Sequence, residues 1–203
     1  MIGDRDELPE ERLARLARER KEAAAAAPVE ILIKAHWTVS ALWDAMRVRQ
    51  PELAPRVVAA HDEAVDAAVR YLDTEAGYGV VGARYLEAVD GLQAVLTRHD
   101  RVGDVVHLHA HLLVEQTVTV DDRGRRVRAP LDPGALQRTH QAAGSLYELV
   151  AFEALYRGLR VRAGRDERRD RRVTQVPDRL RDRYRPGACR IAPASRLLVA
   201  TTG

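Results

Sequence analysis

The stretch VVHLHAHLLVEQTVTV, residues 105–120, constrains the fold of this chain more than any other. Its hydrophobic positions recur every second residue, the period of a strand with two different faces. On such a strand His107, His109 and His111 share one face, and Leu108, Ala110 and Leu112 share the other. Side chains two residues apart on one face stand roughly 7 Å from each other. Two imidazoles at that spacing can converge on one ion, and a further ligand must come from a neighbouring strand. His99 has the right position. It ends the strand-like segment 90–98, just before the connection RHDRVGD (98–104). Of the chain's 7 histidines, three fall within residues 107–111. Imidazole nitrogens bind zinc, manganese and related divalent ions, and an all-imidazole face leaves coordination positions open. Open positions are what phosphodiester chemistry uses, because the ion polarises a phosphate oxygen. The plainer alternative is a strand with ordinary surface histidines and no ion.

The rest of the chain supplies the layers around that strand. Residues 7–27 read as a helix with a narrow stripe at Leu13, Leu16 and Ala17, and Pro28 stops it. VEILI, 29–33, reads as a short buried strand. A helix follows over 38–49 with Thr38 as its cap, and Pro51 and Pro55 break the chain before a long helix over 56–76. Gly77, Gly79 and Gly82 mark a loop or a sheet edge. DDRG, 121–124, predicts a hairpin turn with Gly124 at positive φ, and RRVRA returns as a strand. A third helix spans 134–157. From residue 163 the chain is dominated by arginine, interrupted by Pro177, Pro186 and Pro193, and reads as a loose tail. The expected organisation is a charged N-terminal helix (1–28), a domain (29–162) and the arginine-rich tail (163–203). The fold class is α+β, an antiparallel sheet carrying the histidines on one face with helices packed on it. Only 4% of the residues are aromatic against 46% hydrophobic, so the core must be built from Ala, Val and Leu.

Charge and cysteine content narrow the classes further. The net charge of +3 is compatible with nucleic acid without pointing to it. A single cysteine, Cys189, excludes an internal disulfide and a cysteine-based zinc motif. The charged N-terminus has no apolar signal core, and no apolar run approaches the roughly 18 residues of a membrane span, so a cytoplasmic location is expected. No P-loop is present.

Several motifs, in order, resemble the conjugative relaxases of the TrwC/TraI (MobF) type within the HUH endonuclease superfamily. EILIKAHWTVSALW at 30–43 is similar to the family's DLTFSxPKSVSVLW. AHDEAV follows at 60–65, then His99 with Asp100, then LHAH at 108–111, where the family has LHTH. DDRGRRV, Leu131–Asp132 and AGSLY at 143–147 keep the family's order to about residue 162. The resemblance implies His99, His109 and His111 as metal ligands, with His107 an extra imidazole on the same face. It implies that Glu30, in place of the family's Asp, is the acid that activates the nucleophile. It further implies a divalent metal cofactor (Mg, Mn or Zn), single-stranded DNA as partner, and a part in conjugative DNA nicking and plasmid mobilisation. Other conjugation or relaxosome proteins and further copies of the chain are the remaining candidate partners. The family's nucleophile is a tyrosine ahead of the DLTFS-like strand, whereas the first tyrosine here is Tyr71. The chain is therefore expected to resemble a relaxase that is truncated or degenerate at its N-terminus and lacks its own nucleophile.

Two competing readings belong to other classes. A helical interaction module, built on residues 7–27, or a decayed relaxase fragment needs no ion. A metal-dependent hydrolase of a small phosphate ester would use the same histidines and Glu30, and salt-sensitive DNA binding would count against it.

Overall fold

The computed structural model describes residues 27–166 and 170–184, and the backbone of 197–200. The helix expected over residues 7–27 lies outside the described residues. In chain order the elements are β1 (Val29–Lys34), α1 (Trp37–Arg49), α2 (Ala54–Ala76), β2 (Tyr78–Val81), β3 (Arg84–Glu87), β4 (Ala94–Val102) and β5 (Val105–Val114). They continue with β6 (Thr117–Asp122), β7 (Arg125–Pro130), α3 (Pro133–Leu159), β8 (Ala163–Arg165), β9 (Arg171–Val173), a 3-10 turn (Asp178–Leu180), α4 (Arg181–Tyr184) and β10 (Leu197–Ala200). The central sheet has the order β10-β1-β5-β4. β1 and β4 run antiparallel to β5, and β10 runs parallel to β1. The α+β class and the antiparallel pairing about the histidine strand are as the sequence pattern predicts.

One face of this sheet is sealed by helices. Leu108, Ala110 and Leu112 on β5 are 2%, 0% and 1% exposed, and Ile31 and Ile33 on β1 join the same core. The long helices α2 and α3 pack along each other through small residues, Ala60, Ala64 and Ala68 on α2 with Ala143, Ala151 and Ala154 on α3 among the buried positions. Small side chains let two helix backbones approach closely, which is how a core with few aromatics fills its space. Asp132 caps α3 by accepting a hydrogen bond from Gly134 N at 2.9 Å, and Pro133 occupies the first helical position, where its missing N–H costs nothing. His36, two residues ahead of the expected Thr38, caps α1. Arg98 on the edge strand β4 reaches Asp62 and Asp66, one helical turn apart on α2, and ties that edge down.

The hairpins β2–β3 and β6–β7 form a smaller layer beside the sheet. Gly79 sits where they meet: a Cβ there would lie 2.8 Å from Val120 and 2.9 Å from Ala129. The DDRG turn is the two-residue connection expected, with Arg123 and Gly124 both at positive φ, 59° and 79°.

Three expectations are revised. The strand read as continuous over 105–120 is two strands in different sheets. The buried hydrophobic residues keep even parity from Val106 to Val120, so the apolar alternation passes through the break at Glu115–Gln116 without a mark. β4 is shifted forward and runs to Val102, so His99 lies inside the strand; the turn is tight, at Gly103 with φ 57°. The described part of the arginine-rich tail packs against α1. Val173, Val176 and Tyr184 are buried, Val173 N donates to Thr38 Oγ1 at 2.9 Å, and the Tyr184 hydroxyl donates to Asp44 at 2.8 Å. A few apolar anchors separated by arginines carry no period for a sequence pattern to detect.

Candidate metal centre

The ladder register assembles the histidines. His109 on β5 pairs with His99 on β4, and His111 pairs with Thr97. On the other side of β5, Lys34 and Leu32 of β1 face His109 and His111. The rings of His99 and His109 stand 5.2 Å apart, those of His99 and His111 5.3 Å, and those of His109 and His111 5.0 Å. Three imidazoles thus form a nearly equilateral group on the sheet face opposite the helices.

His107 stands apart, its ring 5.7 Å from His109. The cause is a bulge. His99 pairs with His109, but Arg101 pairs with Val106, so β5 carries one extra residue between them. The displaced backbone of Leu108 is satisfied from elsewhere: its N–H donates to Ser40 Oγ at 3.1 Å, and its carbonyl accepts from Ala35 N at 3.0 Å. His107 is pushed inward, is 6% exposed, and leaves Nδ1 buried without a hydrogen bond. Burial drives its pKa down to about 3, with the neighbouring His109 adding to the shift. Strand parity alone put His107, His109 and His111 on one face; the bulge turns His107 away and leaves His109 and His111 beside His99.

The hydrogen bonds define which nitrogens face outward. His109 Nδ1 lies 2.9 Å from the His107 carbonyl oxygen, which can only accept, so Nδ1 carries the proton and Nε2 the lone pair. His111 Nδ1 bonds Glu30 Oε1, and the carboxylate fixes the same tautomer. An imidazole tied at one nitrogen to a carboxylate or a carbonyl is the usual support of a metal ligand. The donor set therefore fits a divalent ion held by Nε2 atoms. Its nitrogen-only chemistry suits zinc or copper better than magnesium, which prefers oxygen. Burial lowers the pKa of His109, which keeps its ring neutral as ligation requires. Among the described residues, the group of three or more donors whose ligand atoms all lie within 4.8 Å of one another is a different one, His36, Asp166 and Asp170. The ligand atoms of His99, His109 and His111 do not all lie that close, and an ion held by all three would need their rings to turn about the broad imidazole χ2 wells. Sequence reading missed the His36 group because its acids lie some 130 residues downstream in an arginine run that resembled a solvated charge tract.

Glu30, expected as the acid that activates a nucleophile, has its carboxylate engaged with His111. Of the tyrosines, Tyr147 is buried with its hydroxyl 2.8 Å from His61 Nδ1, and Tyr184 is committed to Asp44. His61 lies beneath the sheet, and burial drives its pKa down to about 4. In the unfolded chain it takes up a proton near the ordinary 6.5. The folded state therefore loses stability as pH falls from 6.5 to 4, and the loss levels off below, reaching about 3 kcal/mol. His61→Gln keeps a polar partner for Tyr147 and does not titrate. Urea unfolding at pH 7 and pH 4.5 is expected to show a smaller acid-induced drop in this variant than in the parent.

The family model of the TrwC relaxase matches residues 7–186. The chain belongs to the TrwC relaxase family. Among solved structures, the metal-bound conjugative relaxase TrwC in complex with oriT DNA matches with a TM-score of 0.58 at 16% identity, covering 76% of this chain and 51% of that one. A copper-bound complex of TrwC with oriT DNA matches with a TM-score of 0.58 at 17% identity over 75% of this chain and 50% of that one. TrwC with a 27-mer DNA comprising the recognition hairpin and the cleavage site gives 0.57 at 16% over 75% and 52%. At such identities the likeness is one of fold, and the chain spans about half the length of these TrwC structures. No curated protein matches the chain. Among the described residues no helix is long and apolar enough to cross a membrane.

Proposed function

We propose that this chain is a relaxase domain of the cytoplasm that binds single-stranded DNA across the histidine-bearing sheet face and holds a divalent ion there through Nε2 of His99, His109 and His111. The observation that carries the reading is the group of three adjacent imidazoles, two of them locked by hydrogen bonds in the tautomer a metal requires. Family membership and the oriT DNA complexes of TrwC support it. A bound ion would supply Lewis-acid polarisation of a phosphate oxygen. The chain's own residues do the rest. Glu30 is a positioning residue that orients His111 and raises its basicity, Lys34 brings positive charge to the same face, and the helices behind the sheet keep the strands in register. Tyr147 and Tyr184 are engaged elsewhere. If the chain cuts DNA, the attacking group is a water, which gives plain hydrolysis, or a tyrosine supplied by another chain, which gives the covalent intermediate.

Glu30→Gln keeps the size of the side chain and removes its charge. It is expected to weaken zinc binding about 10- to 100-fold, read by competition with a chelator of known affinity.

DNA binding is tested by fluorescence anisotropy with a labelled single-stranded oligonucleotide and with the matching duplex. Preference for the single strand is expected, together with a steep salt dependence. Neutralising about four phosphates would weaken binding roughly fifty-fold between about 50 and 200 mM salt. Equal or tighter binding to the duplex, or none to either, would overturn the reading.

A further inference from the structure

We infer that the chain carries a second divalent-cation site, made by His36, Asp166 and Asp170 and separate from the imidazole group. One ligand atom from each of these residues lies within 4.8 Å of the other two. The chain builds the group from two distant places. His36 precedes α1, while Asp166 and Asp170 face each other across the β8–β9 hairpin, where Asp166 N donates to the Asp170 carbonyl and Asp170 N to Asp166 Oδ1, each at 3.0 Å. The hairpin is fastened beside His36 by the Val173 N–H on Thr38 Oγ1. The side chains of His36 and Asp166 are 10% and 6% exposed, so this imidazole and this carboxylate meet with little water to screen them.

The spacing has the form of a ligand shell. His36 Nε2 stands 3.5 Å from Asp166 Oδ2, longer than a charge-assisted hydrogen bond. Two ligands each bound at about 2.1 Å to a tetrahedral ion stand about 3.4 Å apart. Without an ion, His36 Nδ1 accepts the capping N–H of Thr38, and the Nε2 proton faces the acids. With an ion at Nε2 the ring takes the other tautomer, and its Nδ1–H donates to Thr38 Oγ1, 2.8 Å away, whose hydroxyl turns to accept. One nitrogen and two carboxylate oxygens suit manganese or zinc. The ion would staple the β8–β9 hairpin to the start of α1.

The test is equilibrium dialysis of the whole chain against Mn²⁺, and separately Zn²⁺, with bound metal counted. The wild type is expected to bind two equivalents. His109→Ala/His111→Ala and Asp166→Asn/Asp170→Asn are each expected to bind one. Asp170→Asn alone changes only one ligand. It is expected to weaken the remaining site of the His109→Ala/His111→Ala protein at least ten-fold and to abolish the rise in Tm that the metal gives it. Circular dichroism checks that each variant is folded. Unchanged stoichiometry and unchanged Tm response in the folded aspartate variants would overturn the second site. A single equivalent in the wild type, retained without His109 and His111 but lost without the aspartates, would support this site and overturn the imidazole centre instead.

Discussion

Replacing His109 and His111 together by alanine is expected to abolish ion binding at the sheet face, with affinity there falling at least about a thousand-fold. Loss of an outer partner such as Glu30 already costs 10- to 100-fold, and here two direct ligands go at once. The remaining ring, His99, is exposed on the edge strand and has no second imidazole to share an ion with. If the ion also orders DNA on this face, single-stranded DNA binding should weaken in the same variant when metal is present, and should differ little from the parent when metal is removed. Isothermal titration with zinc, with and without a labelled oligonucleotide, reads both effects. Retention of tight binding at the sheet face would mean that other residues hold the ion.

One residue along the same strand, the expected effect changes kind. Leu112→Ala is expected to destabilise the fold by about 2–5 kcal/mol, the cost of a large buried side chain and the cavity it leaves. Leu112 is among the largest fully buried side chains and lies on the helix-covered face. Natural domains are stable by only about 5–15 kcal/mol in total, so this single change removes a large share of the margin. His111→Ala, with a side chain 30% exposed on the opposite face, is expected to cost under about 1 kcal/mol in the metal-free protein. Urea unfolding of the two variants measures the contrast. Equal losses would mean that the two faces of β5 are not divided into core and site.

That contrast also shows what could be read from the residues. The alternation around HLHAH gave the strand, its two faces and the partnership with His99, because strand periodicity and cross-strand neighbours follow from local geometry. The DDRG turn and the starts of the long helices were legible for the same reason: each depends on a few adjacent residues. The separation of His107 was not, because a bulge is settled by what can accept and donate to Leu108, and those partners, Ser40 and Ala35, lie about 70 residues away. Nor was the choice of His111 as the ring that Glu30 engages, which depends on β1 lying beside β5. The His36 group needed the fold of the arginine-rich segment, whose anchors Val173, Val176 and Tyr184 are too sparse to show a period.

The most direct test of the imidazole centre is nitrogen NMR of the histidine rings during zinc addition to the Asp166→Asn/Asp170→Asn protein, in which the second site is removed. The account predicts that Nε2 of His99, His109 and His111 shifts on binding one equivalent, that Nδ1 of His109 and His111 stays protonated, and that His107 and His61 are unmoved. Ligation through His107, or zinc that leaves these three rings unchanged, would contradict it.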